Sequence, residues 1–189
     1  MYLHVKNSVI HIFEMELTIT NVTATFFLGC EVDPKVLAKR LGNAIYNPKK
    51  FSAVMVKIRK PYCSGLLFKT GKCVCTGGRS VEESRIACRK FARLVQKIGY
   101  PVKFSRFMVE NIASSVDIGV CLHLPSIAQF FKTQASYEPE IFPGLIYKNA
   151  KNVKFLIFGS GKIIITGVKV FQKAEKAFRN IRWTLELLS

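Results

Sequence analysis

The chain has 189 residues, 49% of them hydrophobic, and its 29 Lys and Arg residues against 12 Asp and Glu residues give a formal net charge of +17. This content excludes an intrinsically disordered chain and indicates a globular protein with a core of ordinary size. No apolar run approaches the roughly 18 residues of a membrane-spanning helix, so no membrane association is predicted. Six cysteines spread along a chain of this size indicate free, mostly buried thiols in a reducing compartment.

The excess of positive charge needs its own explanation. A charge of +17 imposes self-repulsion on the folded state, and chains that keep such an excess commonly bind a polyanion. Most of the excess lies within residues 1–106. Nucleic acid is the favoured ligand, and a generally solvated basic surface is the alternative.

The first predicted elements follow an N-terminal extension of unknown structure, residues 1–16, whose charged side chains do not fit a signal peptide. Asp33 can cap a short helix that begins with Pro34. Apolar runs then alternate with turn sequences over residues 53–76, which predicts an antiparallel meander. Ser80 and Glu83 form the capping box of a longer helix. Its apolar stripe has helical spacing and consists of Ala87, Phe91, Leu94, Val95 and Ile98.

The second half of the chain repeats the first at a spacing of 90 or 91 residues. Phe51 recurs as Phe142, and residues 68–72 recur as residues 158–162. Pro125 opens a second short helix, and a last helix is lined by Ala174, Ala177, Ile181, Leu185 and Leu188. We therefore predict two repeats, residues 17–106 and 107–189, packed about a pseudo-two-fold axis with all helices on one face of a continuous sheet.

The other face of this sheet is predicted to be a binding surface. The period of two in a strand sends Cys73 and Cys75 to one side and Val74 and Thr76 to the other. If the cysteines face the helices, an apolar strip stays uncovered, with Lys72 beside it in the first half. A large exposed apolar surface rimmed by positive charge is typical of a binding site. DNA phosphates fit the lysines, and a widened minor groove fits the strip.

Four segments of the chain resemble the TATA-box-binding protein family: residues 43–51 (NAIYNPKKF), 73–77 (CVCTG), 92–97 (ARLVQK) and 136–147 (SYEPEIFPGLIY). The resemblance extends from about Leu17 to Leu188. It implies an α+β fold with the shape of a saddle, in which a curved ten-stranded antiparallel sheet carries four helices on its convex face. It further implies a general transcription initiation factor of the nucleus, which binds and sharply bends A/T-rich, TATA-like promoter DNA through the minor groove and nucleates preinitiation complex assembly.

The resemblance also assigns roles to individual residues. The DNA-intercalating wedges are Phe51, Phe68, Phe142 and Phe158. The minor-groove contacts are Asn21, Asn111, Thr76, Thr166, Leu66, Leu156, Val74, Ile164, Thr23 and Ala113. The phosphate-binding residues are Lys49, Lys50, Lys57, Lys72, Lys148 and Lys162. Amides and hydroxyls suit a groove in which A·T pairs offer only acceptors, while lysines position the protein without reading sequence.

The partners implied by the resemblance are double-stranded DNA, general transcription factors IIA and IIB, and the associated factors of the family. Glu138, Glu140 and Ile141 match the stirrup loop that meets factor IIB. Asn43 and Arg59 match part of the surface for factor IIA, although Ile45 stands where the family usually has glutamate. The uncovered apolar face also allows weak self-association of the DNA-free protein. No cofactor and no metal is predicted.

Three residues depart from the family on the predicted groove face. Thr23 and Ala113 replace valines, and Lys154 appears where an apolar side chain is usual. Residues 151–153 also form a segment one residue shorter than expected. These departures bear on the strictness of the TATA preference and not on the fold.

Two other interpretations remain open. The first is a paralogue that keeps the saddle and its protein partners but has weak or no TATA specificity. The second is a nucleic-acid enzyme, which is disfavoured because no nucleophile has a placed base and no carboxylates are paired on a polar helix face. The stretch 158–163 (FGSGKI) lacks the spacing of a phosphate-binding loop and predicts a hairpin turn, and Cys73 and Cys75 have no second cysteine pair to complete a metal site.

Overall fold

A computed structural model describes residues 16–188, and most of the N-terminal extension lies outside this range. The first repeat consists of β1 (Thr18–Phe27), α1 (Pro34–Arg40), β2 (Ala44–Ile45), β3 (Val54–Ile58), β4 (Cys63–Leu67), β5 (Lys72–Gly78) and α2 (Val81–Lys97). The second repeat consists of β6 (Ser105–Asp117), α3 (Leu124–Phe131), a 3-10 turn (Lys132–Gln134), β7 (Ala135–Ser136), β8 (Leu145–Lys148), β9 (Lys154–Ile157), β10 (Lys162–Val168) and α4 (Phe171–Leu187).

The ten strands form one antiparallel sheet in the order β2-β3-β4-β5-β1-β6-β10-β9-β8-β7. On each side of the central β1–β6 pair, the strands of one repeat follow in the equivalent order, β5-β4-β3-β2 on one side and β10-β9-β8-β7 on the other. The two repeats are therefore related by a pseudo-two-fold axis between β1 and β6. The predicted fold, a curved ten-stranded sheet with four helices, is confirmed. In the described part of the chain, the helices are too short or too polar to cross a membrane.

Each repeat has its own hydrophobic core between the sheet and its helices. The first core is built around Phe26, Leu37 and Phe91, and the second around Ile127, Phe155 and Ile165, each of them at most 1% exposed. Burial alternates along the strands, so that Cys73 and Cys75 are buried under the helices while Val74 and Thr76 face the other side, as the period of two predicts. This alternation leaves one sheet face without helices, and we call it the open face.

The starts of the helices follow the predicted chemistry in the first repeat. The Asp33 side chain accepts a hydrogen bond from the Lys35 backbone N–H at 2.8 Å, with Pro34 in the first turn of α1. The Ser80 hydroxyl accepts from the Glu83 N–H at 3.0 Å, and the Glu83 carboxylate accepts from the Arg79 N–H at 2.8 Å. The Ser80 half of the predicted capping box is therefore present at α2, whereas the Glu83 carboxylate binds the N–H of Arg79, one residue before the cap, instead of that of Ser80.

Candidate nucleic-acid interface

The open face is lined by half-buried side chains of both repeats, which follow one another across the sheet. From the first repeat it carries Asn21, Thr23, Leu66, Phe68, Val74 and Thr76, and from the second Asn111, Ala113, Leu156, Phe158, Ile164 and Thr166. The structure thus brings together on one surface every residue to which the resemblance assigned minor-groove contact.

Two pairs of phenylalanine rings stand at the two ends of the open face. Phe51 and Phe68 meet edge to face with ring centroids 5.9 Å apart and an interplanar angle of 67°. Phe142 and Phe158 repeat this arrangement at 5.8 Å and 66°. Phe51 remains 47% exposed although it is a large aromatic residue. Two matched, partly exposed pairs of rings thus stand at the positions for which the resemblance predicts intercalating wedges.

Tight hairpin turns fix the second ring of each pair. Phe68 and Phe158 accept hydrogen bonds at their carbonyl groups from Gly71 and Gly161, both at 2.9 Å. These glycines have φ values of +78° and +90°, and a Cβ on either would overlap a carbonyl oxygen of a neighbouring loop. Only glycine fits such a turn without strain. The stretch 158–163 is therefore a hairpin turn, as predicted.

The centre of the open face carries two matched amide clusters. The Asn21 Oδ1 accepts from the Thr76 hydroxyl at 3.1 Å and from the Gly77 N–H at 2.8 Å. The Asn111 Oδ1 accepts from the Gly167 N–H at 2.9 Å, and the same amide bonds the Thr166 hydroxyl. The backbone N–H fixes which end of each amide is oxygen. The NH₂ group is thus the end that can serve acceptors on a ligand, although in Asn111 the Nδ2 also lies 2.9 Å from the Thr166 hydroxyl and can donate to it.

Lysines surround the apolar strip. The six lysines assigned to phosphate contact are all exposed, namely Lys49, Lys50, Lys57, Lys72, Lys148 and Lys162. Lys154 also lies on this face, since it is exposed between the buried Val153 and Phe155. It pairs with Lys148 on one side and with Thr166 on the other.

Position 154 breaks the symmetry of the open face. Three paired residues occupy the equivalent positions of the first repeat. Lys57 corresponds to Lys148, Ser64 to Lys154 and Thr76 to Thr166. Serine therefore stands where the second repeat has a lysine. The second half of the open face carries one more positive charge at this row, and the charge lies beside the central amide cluster.

Sequence reasoning missed an acidic residue on the open face, Glu110. Side chains two residues apart in a regular strand lie on the same face, and Ile112 is buried under the helices. Regular alternation would therefore place Glu110 under the helices as well. The register shifts by one residue, however, because Thr23 pairs with Asn111 while Ala24 pairs with Val109. Glu110 is the extra residue of a β-bulge, and such a residue departs from the alternation. The trace that this bulge leaves in the sequence is a charged residue at a position that alternation assigns to the core.

The Glu110 carboxylate is held by two hydrogen bonds. It accepts from the Thr25 hydroxyl at 2.9 Å and from the Lys169 ammonium at 2.7 Å. Thr25 pairs with Val74 and so belongs to the open face. The bond from Lys169, then that from Thr25, holds the pKa of Glu110 below its ordinary value, so the side chain is anionic at neutral pH. In the first repeat Thr20 takes the equivalent position, and its hydroxyl donates to the Ala113 carbonyl at 3.1 Å.

The residues assigned to protein partners lie at the edges of the sheet. Glu138, Glu140 and Ile141 are exposed in the loop before β8, and Ile141 is 80% exposed. The N–H groups of Ile141 and Phe142 both donate to the Glu138 carbonyl at 2.9 Å, so the loop that carries the acidic residues is joined to a wedge. At the opposite edge Arg59 is exposed, and the Asn43 amide donates to the Lys57 carbonyl.

The buried cysteines Cys63, Cys73 and Cys75 lie behind the open face. Burial raises the pKa of Cys63 and of Cys73 to about 12, and a hydrogen bond with Cys88 together with burial raises the pKa of Cys75. Thiols in this environment stay protonated and unreactive. Within residues 16–188 there is no group of three or more His, Cys, Asp or Glu side chains arranged to hold a metal ion.

Comparison with known proteins identifies relatives over both repeats. The family model "Transcription factor TFIID (or TATA-binding protein, TBP)" matches residues 16–98 and 106–188. The chain is 47% identical over 162 residues to the TATA-box-binding proteins of Xenopus tropicalis and Danio rerio, a match that covers 85% of this chain and 54% of each relative. It thus spans about half the length of these curated relatives. The solved structure of the Methanococcus jannaschii TBP superposes with a TM-score of 0.80 at 34% identity, covering 90% of this chain and 98% of that one.

Proposed function

This chain belongs to the TATA-box-binding protein family, and from that premise we propose that it is a general transcription initiation factor. In this proposal it acts in the nucleus, binds A/T-rich, TATA-like promoter DNA through the minor groove, bends the DNA sharply and nucleates preinitiation complex assembly. The observation that carries the proposal is the presence of two pairs of phenylalanine rings with matched geometry. One pair stands at each end of the apolar open face.

The wedges explain how binding and bending are coupled. Insertion of apolar side chains between base steps kinks DNA, and this family is the standard example of it, at a cost of a few kcal/mol per unstacked step. The rings, together with Leu66, Val74, Leu156 and Ile164, remove apolar surface from water when they meet the widened groove. At roughly 25 cal/mol per Å² this burial offsets the cost of unstacking.

The two central amide clusters supply the preference for A·T pairs. Asn21 and Asn111 present NH₂ donors, and Thr76 and Thr166 lie beside them. Adenine N3 and thymine O2 accept such bonds in the minor groove, whereas the amino group of guanine obstructs them. The lysines that rim the face contribute the sequence-independent, salt-sensitive share of the affinity.

A bending assay tests the proposal. A duplex that contains a TATA-like sequence is labelled at both ends, and energy transfer is measured as the protein is added. We expect saturable binding with a large increase in transfer. A duplex of equal length with G·C pairs at the centre should bind more weakly and bend less. Binding without any change in end-to-end distance would contradict the proposal.

For protein partners we propose factor IIB at the loop of Glu138, Glu140 and Ile141, and factor IIA at the edge of Asn43 and Arg59. Because the acidic residues face solvent beside one wedge, Glu138→Arg combined with Glu140→Arg should leave DNA bending intact. The same variant should abolish recruitment of factor IIB through like-charge repulsion. A supershift titration measures this, and normal recruitment by the double variant would remove the two residues from the partner surface.

The second candidate is a paralogue with weak TATA specificity. It is favoured by two charged residues on the open face. Lys154 adds a cation to the second repeat, while the bulged Glu110 adds an anion near the centre. Both residues change the electrostatic contribution to DNA binding, which does not depend on the base sequence. A ratio of affinities near one for TATA and G·C-centred duplexes would select this candidate, and a large ratio would select the general factor.

A further inference from the structure

The two long helices begin differently. In the first repeat, Ser80 caps α2 and the Glu83 carboxylate accepts from the Arg79 N–H. In the second repeat, Val170 stands at the cap of α4 and makes no capping side-chain bond, and Lys173 occupies the position of Glu83. The chain therefore supplies a negative group at the start of α2, whereas at the start of α4 it adds a positive one.

A cationic cavity of about 590 Å³ lies next to this uncapped start of α4. Lys151, Lys169, Lys173 and Lys176 line it. Lys169 is paired with Glu110, and in residues 16–188 the other three form no ion pair. The floor is apolar, since it includes the buried Val153 and Val168. A cavity of this kind suits a ligand that is anionic and partly apolar.

The equivalent place in the first repeat is occupied by the chain itself. There the Lys90 ammonium donates to the carbonyl of Lys60, whereas Asn180 stands at the matching position of α4. With Glu83 at the helix start and Lys90 tied to a loop, the first repeat satisfies its own polar groups. The two repeats therefore differ at this place, where the second has Lys173 and Lys176 and the first has Glu83 and Ile86.

The cavity continues into an exposed stripe along α4. The stripe, spaced by three and four residues, consists of Lys173, Lys176, Asn180, Trp183 and Leu187. All five are exposed, and Trp183 and Leu187 are 71% and 83% exposed. One helix face thus changes from cationic to apolar over about 21 Å, at 1.5 Å per residue. Exposed tryptophans of this kind are typical anchors at interfaces.

We propose that this stripe and cavity dock an acidic segment of a partner protein, with carboxylates over the lysines and an apolar anchor against Trp183 and Leu187. A segment of about six or seven extended residues covers the distance, at roughly 3.3 Å per residue. Nucleic acid is the weaker fit, because phosphates would leave the apolar floor and the indole without partners. The stripe lies on α4, on the helix side of the sheet, and the ion pair of Lys169 with Glu110 connects the cavity to the open face.

Trp183 reports on this site directly, because it is the only tryptophan of the chain. The probe is a synthetic twelve-residue peptide with a glutamate-rich first half and a leucine- and phenylalanine-containing second half. We expect a saturable blue shift of the indole emission, equal with and without a bound TATA duplex. A peptide with glutamine in place of every glutamate should bind about tenfold more weakly. Since each measurement is made with and without DNA, failure of the proposed DNA function leaves this test intact.

Charge reversal then locates the site. Lys173→Glu with Lys176→Glu should weaken the peptide about tenfold, which corresponds to about 1.4 kcal/mol. The matched control reverses Arg93 and Lys97, two exposed cations on α2, to glutamate and should have little effect. Equal loss in both variants would overturn the proposal, since it would show general attraction to a basic protein. A shift of the indole emission by inorganic phosphate or by a short G·C duplex, but not by the acidic peptide, would overturn it in favour of a phosphate ligand.

Discussion

Removal of one wedge pair should uncouple DNA binding from bending. Phe142→Ala with Phe158→Ala removes both rings at one end of the open face and leaves the other end intact. Neither ring belongs to the hydrophobic core of the second repeat, so the fold should persist. The variant should still bind A/T-rich DNA through its remaining wedges and lysines, but the kink at one end of the site should be lost.

The size of the effect follows from the exposure of the rings. A buried Phe side chain gains about 1.5 to 3 kcal/mol relative to an exposed one. Phe142 and Phe158 are half-buried and less exposed than Phe51, which is 47% exposed, so about a third of that gain remains to be realised when the rings enter the DNA. Two rings then contribute about 1.4 kcal/mol, and their loss should weaken binding about tenfold.

Energy transfer across an end-labelled TATA duplex measures the bend, and titration of the same complex measures the affinity. Phe51→Ala with Phe68→Ala should give a matching loss, because the two pairs have the same geometry. Phe130→Ala removes an exposed ring on α3, away from the open face, and should change neither quantity. Bending at the level of the unmodified protein in the Phe142 and Phe158 variant would refute the wedge assignment. A large fall in its unfolding temperature would instead show that the rings are structural.

Three further predictions follow from charge and burial. Binding to DNA should weaken steeply with salt, and Lys72→Ala and Lys162→Ala should each flatten the slope of log K against log salt by about one unit; an unchanged slope would show that these lysines do not touch phosphate. Glu110→Gln removes an anion from the open face and should tighten DNA binding about threefold at low salt, while weaker binding would show that Glu110 acts by positioning Lys169. Burial raises the pKa of Cys73 to about 12, above the ordinary value of 9.0, so the folded state favours the protonated thiol. The contribution of the protonated Cys73 thiol to the stability of the fold should be complete below about pH 9 and lost as the pH rises towards 12. Iodoacetamide at about pH 8 should modify the exposed Cys121 and spare Cys73, as mass spectrometry can measure.

Much of the fold could be predicted because two independent patterns agree in the sequence. The spacing of 90 or 91 residues indicates two copies of one unit, and the alternation around Cys73 and Val74 separates the helix side of the sheet from the open face. Short-range signals such as the helix cap at Ser80 depend only on neighbouring residues, and the structure contains the predicted bond from the Glu83 N–H to the Ser80 hydroxyl. Burial of apolar side chains and satisfaction of helix-terminal N–H groups therefore specify most of the architecture.

The position of Glu110 could not be predicted, because it depends on pairing between strands that lie far apart in the chain. The bulge lies in the β1–β6 pair, between the pairing of Thr23 with Asn111 and that of Ala24 with Val109. Alternation within β6 alone assigns Glu110 to the core, which would leave a carboxylate buried without a partner. The bulge resolves this conflict by turning the side chain to Thr25 and Lys169. A charged residue in the core phase of a strand is thus a usable sign of a bulge.

The cationic stripe of α4 was missed for a different reason. Lys173 and Lys176 look like ordinary solvated residues when the helix is considered alone, and Trp183 looks like a residue of the amphipathic pattern. Their meaning emerges only when α4 is placed beside α2, where Glu83 and Lys90 satisfy the same positions from within the chain. In a protein built from two copies of one unit, each repeat is the reference for the other. At some positions one repeat forms polar contacts within the chain, while the equivalent residues of the other repeat do not. A function specific to one partner is therefore expected to have arisen at these positions.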